Sequence, residues 1–234
     1  MIRAAGREAY RPGRGVVIAA CLGGSIGTGI IHAHGSCAGK GKSDLECDRL
    51  YYRISFRNVR VLDLRFPTSR HQVGSDAVNT DPDYSAAYCI LETDAGIEGH
   101  GLAFTLGHGT ELCVLALEYL ARFLRGRNLS SVTDDSVAFS RQLTEDSQFR
   151  WLGPEKGVIH LAAAALINAV WDLYARKEGK PLWKLLADFE PEQIVRSIDF
   201  KYIEDAITPG EALDLLRTHT ASQPGRLRKL EQHG

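Results

Sequence analysis

The rhythm of hydrophobic and polar positions changes along this chain, and each change marks an element. In "RISFRNVRVLDLRF", Ile54 and Phe56, then Val59 and Val61, fall at alternate positions. That two-residue period predicts a strand with one face buried. "SAAYCILETDAGIEGHGLAFTL" (Ser85 to Leu106) predicts two further strands joined at Ala95-Gly96, where glycine suits a tight turn. After Gly107 and Gly109 the period lengthens to that of a helix. Thr110 to Leu124 carries Leu112, Leu115, Leu117 and Leu120, and Asp134 to Leu143 is a shorter helix begun by an acidic cap. The strongest helix starts at Pro154 or Glu155 and runs to Glu178, with Val158, Leu161, Ala162, Ala165, Leu166, Ala169, Val170 and Leu173 recurring every three or four residues before Gly179 ends it. Its alanines leave room for another helix to pack closely. Further helices are expected at Pro181 to Ala187, Pro209 to Leu216 and Arg226 to His233, and one more strand at Ser197 to Ile203 ("SIDFKYI").

Three antiparallel strands followed by a bundle of helices define an α+β fold. The texture divides the chain into an irregular glycine-rich extension (1–50), a folded body (51–190) and a linker strand with helices (191–234). Within the extension, "VVIAACLGGSIGTG" has the glycines of a phosphate-cradling turn, and a dinucleotide-binding oxidoreductase is the reading it would support. The helix that such a turn requires is interrupted by Gly35, Gly39 and Gly41, and no second strand of a βαβ unit follows.

Composition narrows the partners. Lys and Arg number 28 against 29 Asp and Glu, a formal net charge of -1. With no basic stripe carrying interleaved aromatics, this balance gives no footprint for nucleic acid. The five cysteines, Cys21, Cys37, Cys47, Cys89 and Cys113, contain no C-x-x-C pair, which excludes a zinc motif of that type and suits a reducing compartment, cytoplasmic or mitochondrial. The apolar run Val16 to Leu22 is too short to cross a bilayer and no later segment is expected to do better, so no membrane partner is expected.

No zinc-hydrolase or P-loop motif is present: there is no H-E-x-x-H and no phosphate loop of the G-x-x-x-x-G-K-[ST] type. His32 and His34 read as loop residues, His160 as a helix residue beside the apolar face, and His100 as pointing outward with Glu98. The segment "VGSDAVNTDPDYSAAY" (Val73 to Tyr88) is different, because it puts Asp76, Asp81, Asp83 and Tyr84 between two adjacent antiparallel strands. Asp, Asn and Pro form turns by bonding local amides, so a purely structural loop is one reading. A binding loop is the other, since a hairpin connection needs only two to five residues.

"RFPTS" (Arg65 to Ser69), "GSDAVNTDPDYSAAY" (Gly74 to Tyr88), "RWLGPEKGVIHLAAAALINAVWDLYARKEGKPLWKLL" (Arg150 to Leu186) and "IDFKYIED" (Ile198 to Asp205) together resemble the amino-terminal capping domain of the enolase superfamily, within its mandelate racemase and muconate lactonizing branch, and most closely the L-fuconate dehydratase group. The resemblance covers about Arg53 to Gly234. It departs from the branch's signature at Asn168, where an acidic residue is usual, and at Ala187, where glycine often follows. It implies an enolase N-terminal-like meander and helices capping a (β/α) barrel. The loop between the first two strands would then close over the catalytic face, with Gly74, Ser75 and Asp76 contacting an acid-sugar substrate and Tyr84 making another contact. Asp81 and Asp83 read as turn formers, since an anionic substrate would meet them with no local cation. The family's chemistry, Mg2+-assisted removal of a proton beside a carboxylate by lysine and histidine bases, belongs to the barrel. On this resemblance the barrel is absent from the chain, which therefore carries no catalytic residue and no metal ligand and would be inactive alone. A non-catalytic protein that pairs with a homologous barrel-bearing subunit is the alternative.

Overall fold

A computed structural model describes residues 54–152 and 157–233. The extension at 1–50 and the proposed helix start at Pro154 or Glu155 lie outside these residues. Strands β1 (Phe56–Arg65), β2 (Ser85–Thr93) and β3 (Glu98–Thr105) form a three-stranded antiparallel meander in the order β1-β2-β3. Register pairs Val61 with Cys89 and Cys89 with Gly101, and Arg65 with Ser85 and Ser85 with Thr105. The β2–β3 turn contains Gly96 at φ 72°, a conformation glycine adopts without steric cost. Because β2 lies between two strands, its residues from Ser85 to Leu91 are all buried, and the apolar run "AAYCIL" suits a strand covered on both faces.

Eight α-helices follow among the described residues: α1 (Thr110–Ala121), α2 (Ser130–Thr133), α3 (Ser136–Thr144), α4 (Val158–Lys177), α5 (Leu182–Ala187), α6 (Pro191–Arg196), α7 (Pro209–His219) and α8 (Gln223–His233). Asp135 rather than Asp134 caps α3, accepting from the Ala138 amide at 2.9 Å. On α1 the core face is Cys113, Leu117 and Leu120, whereas Leu112 and Leu115 are 54% and 61% exposed. The 100° step per residue places 112 and 115 on the opposite side from 113, 117 and 120.

Helix α4 is the spine. Ala162, Ala165, Leu166, Ala169 and Leu173 are fully buried, each large side chain contributing about 1.5–3 kcal/mol. Its alanines receive a strand where a helix was expected. A Cβ on Gly101 would lie 2.0 Å from the Ala165 carbonyl oxygen, and one on Gly99 would lie 2.3 Å from that of Ala169. Asp172 then reaches β3 directly, accepting from the His100 amide at 2.8 Å while Arg176 holds the same oxygen at 2.7 Å. By length and composition α4 could cross a membrane, contrary to the expectation that no segment would. Half of its most apolar stretch is buried, against β3, β2 and α1. A helix at the centre of a core passes the same test of composition.

The strand expected at Ser197 to Ile203 is not formed. Phe200–Tyr202 is a 3-10 turn instead, because Asp199 accepts from the Lys201 amide at 3.0 Å and no neighbouring strand offers a ladder. Asp199 also takes both arms of Arg141, at 3.1 and 2.7 Å, and Lys201 pairs with Glu145 at 2.7 Å, so this segment is strapped to α3. Cys89 and Cys113 are free and buried, and burial pushes the Cys89 thiol up to about 12, which makes both core groups rather than nucleophiles.

Candidate functional site

The end of the sheet where β1 stops and β2 begins carries the connection 66–84. Arg65 closes β1 against the helices: it bonds Asp63 at 2.7 and 2.8 Å, Glu111 at 2.6 Å and the Gly107 carbonyl at 3.0 Å. The two carboxylates, Asp63 foremost, hold its guanidinium well above the usual arginine value. It is therefore occupied as a brace.

The connection has a tied base and a freer tip. At the base, the Phe66 amide donates to the Tyr84 carbonyl at 2.9 Å, and Thr68 Oγ1 donates to the Pro82 carbonyl at 2.7 Å while accepting from the Tyr84 amide at 2.9 Å. Ser69 gives both its amide, at 3.2 Å, and its hydroxyl, at 2.6 Å, to Asp83. The Asp83 amide in turn donates to Leu106 beyond β3 at 3.2 Å. Asp83 is thus a structural acceptor, as a turn former should be. The expected lack of a nearby cation is corrected: the Ser69 hydroxyl and amide hold the Asp83 carboxyl below its usual value, with further help from Arg70 and His108. Arg70 belongs to the same connection, and the fold brings His108 to it from beyond β3. Asp81 is exposed and, among the described residues, accepts from the Thr80 hydroxyl at 3.2 Å.

The tip begins at Gly74, whose φ of 76° is left-handed. Asp76 organises it. Its Oδ1 accepts from the Val78 and Asn79 amides, both at 2.7 Å, its Oδ2 meets the Asn79 side-chain amide at 3.4 Å, and its own amide donates to the Asn79 carbonyl at 2.9 Å. These bonds, led by that of the Asn79 amide, keep the exposed carboxyl below its usual value and hence ionised at neutral pH. Ser75 Oγ is buried and has no hydrogen-bond partner among the described residues. Tyr84 leans back over the tip: a Cβ on Gly74 would lie 1.8 Å from its hydroxyl oxygen, and its ring meets Phe104 edge-on at 5.2 Å and 73°.

Gly74, Ser75, Asp76 and Tyr84 therefore form one neighbourhood, with the tyrosine folded onto the glycine. Sequence reasoning missed Thr68 and Ser69, which anchor the base, and Phe104, which supports Tyr84. The hydroxyls of "PTS" were a readable signal for side-chain capping of a turn. Phe104 gave none beyond its place in a strand. His100 lies toward the other end of β3, next to Tyr88 at 3.2 Å, and takes no part here.

Comparison with known proteins places this geometry. Residues 58–187 match the model of the mandelate racemase / muconate lactonizing enzyme N-terminal domain. The chain belongs to this family, within the enolase superfamily. Among curated relatives, Mitochondrial enolase superfamily member 1 of Xenopus laevis is 55% identical over 170 residues, 72% of this chain and 38% of the relative. L-galactonate dehydratase of Hypocrea jecorina is 50% identical over 180 residues, 77% of this chain and 40% of the relative. The crystal structure of human Mitochondrial enolase superfamily member 1 superposes with a TM-score of 0.74 at 49% identity, over 77% of this chain and 41% of that one. The family member described here thus spans about two fifths of the length of these relatives. Among its described residues no group of three or more His, Cys, Asp or Glu side chains is arranged to hold a metal ion.

Proposed function

We propose that this chain is the substrate-facing cap of an acid-sugar dehydratase of the L-fuconate dehydratase type. The parent reaction is Mg2+-dependent loss of water from L-fuconate to give 2-keto-3-deoxy-L-fuconate. The observation that carries the proposal is the connection 66–84: its base is fixed to the sheet, and its tip presents an ionised Asp76 two residues after Gly74, on which Tyr84 rests. An ionised carboxylate accepts hydrogen bonds only, so it selects ligands rich in hydroxyl donors. Tyr84 adds a polar end on an apolar ring. The kinship with an L-galactonate dehydratase supports a polyhydroxylated acid as substrate.

The residues of this chain bind, orient and exclude water; Gly74, Ser75, Asp76 and Tyr84 are the contacts proposed, and no described residue is assigned to proton transfer. Since the described side chains do not fit Mg2+, no metal-dependent step is assigned to them.

L-Fuconate and L-galactonate differ by one hydroxyl, at C6, which makes them a sharp pair of substrates. The test is a chimaera in which this chain replaces the matching two fifths of the human relative, assayed on both acids with Mg2+. Dehydration of L-fuconate in preference to L-galactonate is expected. A folded chimaera that dehydrates only L-galactonate overturns the substrate, and one that dehydrates neither while the human parent remains active overturns the proposal.

A further inference from the structure

Phe104 stands near the end of β3, opposite Ala86, with 54% of its surface exposed. A phenylalanine so open to water gains little from burial at this site. Its described ring contact is with Tyr84. The main chain of Tyr84 is already fixed on both sides, the amide on Thr68 Oγ1 and the carbonyl by the Phe66 amide. What the backbone leaves undetermined is the rotation of the Tyr84 side chain. The ring of Phe104 limits that rotation from the sheet side, and the hydroxyl end rests on Gly74 from the other. Ser75 and Asp76 follow Gly74 directly in the chain.

We infer that Phe104 is a positioning residue for the substrate-facing tip: through Tyr84 it sets where Gly74, and with it Asp76, is held. The path runs from a rigid strand, through two rings in edge contact, to a glycine that has no side chain to keep the tyrosine away. The tip's other bonds stay within the connection: the Val73 amide donates to the Thr68 carbonyl at 3.2 Å, the Ser75 amide to the Gln72 carbonyl at 3.4 Å, and Asp76 bonds Val78 and Asn79, so Tyr84 is the described contact that ties Gly74 to the sheet. Phe104 touches no substrate in this scheme. Its effect on binding rests on the function proposed above, whereas its effect on the tip does not.

The experiment has two arms so that those two parts fail separately. In the 234-residue chain, amide exchange by NMR is compared for the native protein, Phe104→Ala and Phe104→Tyr. Loss of one aromatic pair is expected to speed exchange of the Asp76, Val78 and Asn79 amides about three- to tenfold, with Leu91 in the sheet unchanged and Phe104→Tyr restoring the native rates. If Phe104→Ala does not fold, Phe104→Leu, which keeps an apolar side chain without a ring edge, carries the comparison. Unchanged exchange at the tip, or an equal rise at Leu91, overturns the linkage. In the chimaera, Phe104→Ala is expected to raise KM for L-fuconate by a similar factor while kcat stays within about twofold, again rescued by Phe104→Tyr. Faster exchange with an unchanged KM overturns the role in substrate binding and locates the failure in the functional reading, not in the contact path.

Discussion

Two places in this molecule depend on glycine, for opposite reasons. Along β3, Gly99 and Gly101 are required by what lies outside them: carbonyl oxygens of α4 occupy the space a side chain would need. At the loop tip, Gly74 is required by its own backbone, at φ 76°, and by the hydroxyl end of a tyrosine. Main chain packed on main chain cannot yield locally, but a tyrosine can rotate. The first arrangement builds a seam that fixes the helix on the sheet, and the second leaves a surface whose position depends on one side chain. The cap role proposed above would use both, since a lid can be placed reproducibly only if its hinge side is rigid.

Breaking the seam should have the largest effect. Gly101→Val inserts three carbons where Ala165 O already lies 2.0 Å from a Cβ, so strand and helix must separate. Overpacking of this kind costs about 3 kcal/mol or more, a fall of roughly 10 °C in Tm for a chain of this size. Thermal unfolding followed by circular dichroism checks it, and a Tm within a degree or two of the native value would mean that the close approach is not there. Gly74→Ala should cost less, about 1–2 kcal/mol for a left-handed residue bearing a Cβ, because Tyr84 can move aside. The same melts measure it. Its signature is selective: amides of the tip exchange faster while those of β2 and β3 do not.

The seam was far more legible in the sequence than the loop. Periods of two and 3.6 residues follow from burial on one face, so β1, β2, β3, α1 and α4 could be read from apolar spacing alone. The alanines of "LAAAAL" stood out as room for close packing, but the glycines of "EGHG" that meet that helix did not, because their meeting is a matter of register between residues far apart in the chain. Ser197 to Ile203 misled for the converse reason. Its apolar residues suit a strand, but a strand needs a neighbour, and Asp199 found Arg141 and the Lys201 amide instead. In the loop, the residues of "GSDAVNTDPDY" were visible, and the family resemblance singled out Gly74, Ser75, Asp76 and Tyr84. That Asp76 bonds its own turn, that Asp83 braces Ser69, and that Phe104 supports Tyr84 are facts of folding that leave no period behind.

The smallest effect sharpens the same contrast by pH. Asp83 joins the base of the loop to Ser69, and those bonds lower its folded-state pKa below the ordinary aspartate value of 3.8. A depressed folded value means that the unfolded or loosened base takes up protons more readily than the native one. The contribution of these bonds is therefore fully present above the ordinary value and is lost as pH falls through the lower, native one. The Ser69 amide should shift and exchange faster than acid slowing of intrinsic exchange allows as pH drops from about 5 to below 3.8, while Leu91 keeps its protection in the seam. Asp83 is at the surface, so the change should be confined to the base and leave Tm nearly unaltered at neutral pH. Ser69→Ala removes the hydroxyl that contributes most to the shift, and its loop should show a weaker response with a midpoint nearer 3.8. If the native and Ser69→Ala chains titrate alike, the base of the loop is not held by Asp83, and the distinction between an anchored base and a tip positioned through Tyr84 would have to be redrawn.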